Sequence, residues 1–280
     1  MILPTIVLGF ISLIFCPSLA FAQGFVFVEQ HKGESSYVVK AGDLKSKLDF
    51  PFKLQAAGIG FDKVHQGIRY TFKASKVVKN LRTTGKDYDW KSNQLTVFSS
   101  SNSDVEDFFS VGLEVAKDVT NRSAVFANIQ YRELDLVWSD TKQQDFVENK
   151  LSNLIGDTLR YKQNFYQLNL GVSYQYPLSN RVSFNIKPSV VFGYVKSVDE
   201  HLRRNFYTVQ NSFIKGYGVS AILAKSIDKD SILSLLFSHE NYQDKHSKMD
   251  YYSPFSSSYS LPASYKHNIQ KISASYQQQF

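Results

Sequence analysis

The chain has 280 residues, a formal net charge of +7 and a single cysteine, Cys16. That length suits one large β domain or two ordinary ones, and after residue 22 no apolar run approaches the ~18 residues of a membrane helix, which argues against a helical membrane protein. The basic balance suits an anionic partner such as lipopolysaccharide or an acidic peptide. Nucleic acid fits on charge alone, but no nucleic-acid motif is present.

Residues 1–22 read as a signal peptide. Met1 to Ala22 carries no charged side chain, and an apolar run from Ile6 through Phe15 leads to Ala20-Phe21-Ala22. This is an h-region with an A-x-A cleavage site, although the basic n-region is missing. The run is short for the ~20 residues of a spanning helix. Bulky Phe15 before Cys16 argues against a lipoprotein anchor. Cleavage after Ala22 leaves residues 23–280 without cysteine, so an exported chain of this kind must be stabilised by something other than disulfides.

From residue 23 onward the governing pattern has a period of two. Tyr166, Leu168, Leu170, Val172, Tyr174 and Tyr176 alternate with Gln167, Asn169, Gly171, Ser173 and Gln175. Val182, Phe184, Ile186, Val190, Phe192 and Tyr194 oppose Ser183, Asn185, Lys187, Ser189 and Gly193, and Ile272, Ala274 and Tyr276 alternate with serines near the C-terminus. A soluble sandwich also alternates. A membrane barrel is favoured by the aromatics near strand ends and by short turns on one side with long polar stretches on the other. The terminal Phe280, in phase with Tyr276, resembles the signal by which such barrels are recognised for insertion. The segments predict ten antiparallel strands, about 25–33, 44–62, 66–82, 104–117, 122–139, 159–176, 181–198, 206–228, 231–245 and 263–280. Many exceed the ~9–11 residues that cross a bilayer, so the all-β barrel should project above the membrane. An even count closes the sheet and leaves no edge, which hydrocarbon requires.

Two acidic pairs stand out on this map. Asp87 and Asp89, in Lys86-Asp87-Tyr88-Asp89-Trp90, point to one side if the backbone is extended. They fall in the long loop after the third strand, or at its mouth. Asp199 and His201 continue the polar phase of the seventh strand, Ser183, Asn185, Lys187 and onward by twos, and so face the lumen while Glu200 does not. Strands three and seven of ten lie roughly opposite, so the pairs can face each other across a groove at the outer rim. Three carboxylates and an imidazole so placed could activate water.

Asp-x-Asp in a loop is ordinarily solvated turn chemistry. A metal site among His239, Asp244 and His246 lacks any ligand motif, and no Gly-x-Ser-x-Gly frames a serine nucleophile. Rival barrels are an adhesin or inactive scaffold, an enzyme acting on lipid A, and a porin. Ten strands leave an interior largely filled by side chains, which disfavours the porin.

With these residues in view, the chain resembles the omptin family of outer-membrane proteases, over essentially the whole mature chain at low identity. The resemblance is carried by Asp87-Tyr88-Asp89-Trp90, by Asp199-Glu200-His201, by Gly33-Glu34-Ser35 and by Tyr161-Lys162-Gln163. It implies an endopeptidase at the bacterial outer membrane, acting on extracellular peptides or proteins without a covalent intermediate, metal or other cofactor. His201 would be the general base, Asp199 would hold its tautomer, and Asp87 and Asp89 would position the water and the tetrahedral intermediate. Two carboxylates so close tend not to ionise together, so one could keep a proton for the oxyanion. The family prefers a basic residue before the cut, read by two acids. Glu34 matches one, but Ser197 stands where the second is expected, so the basic preference should be weaker. The family also needs lipopolysaccharide, and Asn164 stands where one of its lipid-gripping arginines is expected.

Overall fold

The computed structural model describes residues 23–279, and among these described residues there are eleven strands and no helix. The expected signal peptide at 1–22 and the terminal Phe280 lie outside the described residues. The strands are β1 (Gln23–Ala41), β2 (Leu44–His65), β3 (Ile68–Asn80), β4 (Thr83–Lys91), β5 (Gln94–Asp118), β6 (Ser123–Asp145), β7 (Lys150–Pro177), β8 (Val182–His201), β9 (Phe206–Ser226), β10 (Ser231–Ser253) and β11 (Ser256–Gln279). Every neighbouring pair is antiparallel, and β1 pairs with both β2 and β11, which closes the sheet.

The ring has ten strand positions. β3 and β4 share the third: both pair with β2 on one side and β5 on the other, β3 in the lower half and β4 in the upper. The chain steps between them at 81–82, where the Leu81 amide donates to the Lys53 carbonyl at 3.0 Å. The long polar loops expected between strand pairs are mostly projecting β-hairpins, and Asp87 and Asp89 lie on a strand rather than in a loop. Two-residue turns close several hairpins. Gln66-Gly67 and Ser92-Asn93 both have positive φ at each central residue, the twist that matches right-handed strands.

The outward face carries an apolar belt. Val26, Val28, Ile59, Ile129, Leu168, Leu170, Val172, Val190, Phe192, Leu233, Leu235 and Ile272 are all substantially exposed. On a soluble protein such a patch would be a liability; on a barrel it is the surface that meets hydrocarbon. Above the belt an aromatic row, Tyr131, Tyr166, Tyr194 and Phe213, runs ring to ring at 5.2 to 6.4 Å across β6 to β9.

The interior changes character along the axis. At belt level it holds paired charges, including Lys187 with Glu114 at 2.5 Å and Glu29 with Lys271 at 3.3 Å. Higher up it is a filled apolar core of Tyr37, Leu48, Phe50, Phe52, Phe108, Leu136, Trp138, Tyr161, Phe165 and Tyr242. There the walls meet: Phe50 of β2 stacks on Tyr161 of β7 with centroids 3.9 Å apart, and Trp138 of β6 lies 4.6 Å from Phe50. This aromatic layer is the platform on which the rim residues stand.

Candidate active site

Strand phase places the four expected residues. On β4, Asp87 pairs with Leu48 and Ser99, and Asp89 with Ser46 and Val97. Leu48 and Ser99 are buried toward the interior, so both aspartates point inward by alternation. On β8, Asp199 lies between Tyr161 and Thr208, and His201 between Leu159 and Phe206. Tyr161, Thr208 and Leu159 are likewise interior, while Glu200 faces out.

The pairs converge. His201 Nε2 lies 3.4 Å from Asp199 Oδ2. The Asp87 carboxyl is pushed up to about 7, first by burial and then by the charge of Asp89, with Asp199 adding to the rise and His201 and Arg204 opposing it. These charges act on Asp87 from both strands, so the two pairs lie within electrostatic reach of each other, and near neutral pH the Asp87 carboxyl holds its proton for part of the time. Asp87 Oδ1 and Asp199 Oδ1 are buried without a hydrogen-bond partner. Such atoms are costly unless something polar visits them.

Three supporting residues escaped sequence reasoning. Tyr37 of β1, fully interior, donates its hydroxyl proton to Asp199 Oδ2 from across the barrel. Its own ionisation is driven well above the tyrosine range by burial and by the Asp199 charge, so it remains a donor. Phe206 stacks on the His201 ring at 4.1 Å and 18°, which fixes the ring plane. Tyr251 stands beside the cluster, its hydroxyl raised by burial, by Tyr259 and by Asp199, Asp89 and Asp87. Gly85, two residues before Asp87, is covered by the Trp138 ring.

Glu34 does not join the site, which corrects the expectation that it lines an acidic pocket. Gly33 faces Phe52 and Ser35 faces Phe50 across β1 and β2, and Ser35 and both rings are interior. Glu34 therefore alternates to the outer face. Its carboxyl is raised there by burial and by Asp49, and drawn back by Lys47, Lys266 and Lys86. Ser197 is interior but enclosed: Gln163 Nε2 donates to it at 3.3 Å and to the Tyr265 hydroxyl at 2.8 Å, while Ser35 donates to Gln163 Oε1 at 2.7 Å. The space below Asp199 is thus filled by a neutral polar network. Asn164 faces outward beside the aromatic row and accepts from the Tyr131 hydroxyl at 2.8 Å. Among the described residues no group of three or more His, Cys, Asp or Glu could hold a metal ion.

No family model and no curated protein matches the sequence. Among solved structures, the outer membrane protease OmpT from Escherichia coli is similar with a TM-score of 0.79 at 12% identity, over 94% of this chain and 99% of that one. The translocator domain of the autotransporter NalP from Neisseria meningitidis reaches 0.45 at 9% identity, covering 99% of this chain and 95% of its own. The outer membrane protein OprG from Pseudomonas aeruginosa reaches 0.38 at 12% identity, covering 93% and 97%. With its ring of ten strands, its apolar belt and its extended upper half, the chain has the fold of the outer membrane protease OmpT.

Proposed function

We propose that the protein is an endopeptidase of the bacterial outer membrane, cutting extracellular peptides or proteins with water activated between an Asp-Asp pair and an Asp-His pair. The observation that carries this reading is that Asp87, Asp89, Asp199 and His201 all face inward at the rim, with the Asp87 carboxyl poised near 7 under the charges of the other three. The fold shared with OmpT supports it as an analogy of architecture.

Each side chain has a role that follows from its place. With Nε2 turned to Asp199, His201 offers Nδ1 to water as general base. Asp199, held by Tyr37, fixes the tautomer and stabilises the imidazolium. Two neighbouring carboxylates share a proton, so Asp87 in its protonated form donates to the developing oxyanion while Asp89 helps hold the water. Lipopolysaccharide is the proposed activating lipid, meeting the aromatic row and the polar residues above it.

The test is digestion of a mixed peptide library by refolded protein with lipopolysaccharide, wild type beside His201→Ala, with heat-modifiability on a gel as the check on folding. We expect cleavage by wild type and a loss of at least ~100-fold in the variant. Equal cleavage by both would remove His201 from the chemistry. No cleavage by wild type would leave an adhesin or inactive scaffold as the better reading.

A further inference from the structure

The groove wall beside His201 is an aromatic ladder. From β8 to β11 it runs His201, Phe206, Tyr251, Tyr259. The centroids are 4.1 Å apart for His201 and Phe206, 6.4 Å for Phe206 and Tyr251, and 4.9 Å for Tyr251 and Tyr259, and the last two rings are parallel within 3°. Tyr251 and Tyr259 are direct cross-strand partners, in phase with interior Met249 and Ala263, so both rings face the groove. Tyr259 is half exposed, which leaves an aromatic face open next to the proposed chemistry.

Beyond Asp87, Asp89 and Asp199, which the proposed chemistry occupies, the same region is poor in acids that could read a basic side chain. Glu34, Glu200 and Asp250 alternate to the outer face, and Ser197 is enclosed by Gln163. Arg204 acts on the Asp87 carboxyl from the 202–205 turn, adding a positive charge that would repel an incoming lysine or arginine. A groove of this kind rewards planar apolar surface, since a ring stacked on a ring gains more than its buried area alone provides.

We infer that the Phe206–Tyr251–Tyr259 ladder is a substrate subsite that takes an aromatic side chain of the peptide next to the scissile bond, in place of a basic one. The inference rests on the endopeptidase reading and names its substrate class. Tyr259→Ser and Tyr251→Leu remove ladder rings without touching the four charged residues.

The experiment measures both cleavage and binding of matched peptides that carry Trp, Phe, Lys, Arg or Asp at one position, using refolded full-length barrel. Binding is read by fluorescence anisotropy at 4 °C, to slow any turnover. Aromatic peptides should be preferred, and Tyr259→Ser should raise their KM by roughly three- to ten-fold, with a smaller change in kcat and none in the KM of Asp peptides. Cleavage next to Lys or Arg would overturn the inference and leave the protease standing. So would an aromatic preference unchanged in both variants. If nothing is cleaved, tighter binding of the Trp peptide that is lost in Tyr259→Ser would keep the subsite while the protease reading fails; equal binding of all peptides would sink both.

Discussion

Asp87 carries two demands that pull against each other. A carboxyl with a folded-state value near 7, against an ordinary 3.8, holds a proton in the folded barrel that the unfolded chain gives up. Stability then falls as pH rises from about 4 to about 7, and the deficit persists above that window. Asp87→Asn keeps the shape and removes the charge. It should raise the unfolding free energy read from urea titrations at pH 8, by on the order of a few kcal/mol at most, with no change below pH 4, while cleavage is lost. Equal midpoints at pH 8 would mean that the carboxyl is not strained in the folded state. Tyr37 illustrates the complementary point. Its hydroxyl reaches Asp199 over a sequence separation of 162 residues, a contact that no local pattern announces.

At the scale of the element, β4 decides the site. It is a nine-residue strand laid above β3 on the same ring position, and its lower end is seated where the Trp138 ring covers Gly85. A side chain there must displace indole that is already packed on Phe50. Gly85→Val should therefore cost about 1–3 kcal/mol of stability through overpacking and weaken cleavage by moving Asp87. Adding Trp138→Ala should restore part of the stability in denaturant titrations; no recovery would show that the clash is not with Trp138. β4 read as loop in the sequence because it is short and mostly polar, with only Tyr88 and Trp90 as large apolar side chains on its outer face. The inner face lines a wet groove, so the long apolar alternation that marks β7 and β8 is absent. The upper parts of β6, β7, β10 and β11 were hidden for the same reason.

The whole molecule is organised by two solvents. The apolar belt faces outward, so the rule that apolar side chains go inside is reversed in the lower half and restored in the upper. Leu170, exposed in the belt on β7, should tolerate Arg badly. Leu170→Arg is expected to cost about 2–4 kcal/mol of folding free energy in phospholipid bilayers, measured by reversible denaturant titration. The same substitution at Leu151, exposed near the tip of the β6–β7 hairpin, should be close to neutral. Equal costs at the two positions would argue against a bilayer around the belt.

Much of this was legible in residue order. Alternation over Tyr166–Tyr176 and Val182–Tyr194 specified a closed antiparallel barrel, and its phase carried Asp199 and His201 to the inner face, because a period of two propagates along a strand without long-range information. Glu34 shows the limit. In β1 both Phe25 and Phe27 on one face and Val26 and Val28 on the other are apolar, so the phase is ambiguous from sequence, and only pairing with Phe50 and Phe52 of β2 fixed it. The splitting of the third strand position, the Tyr37–Asp199 bond and the stacking of Phe206 on His201 were likewise decided by the tertiary structure. Each depends on which walls of the barrel come within a few ångströms of one another, and that distance is set by closure of the sheet and filling of its core.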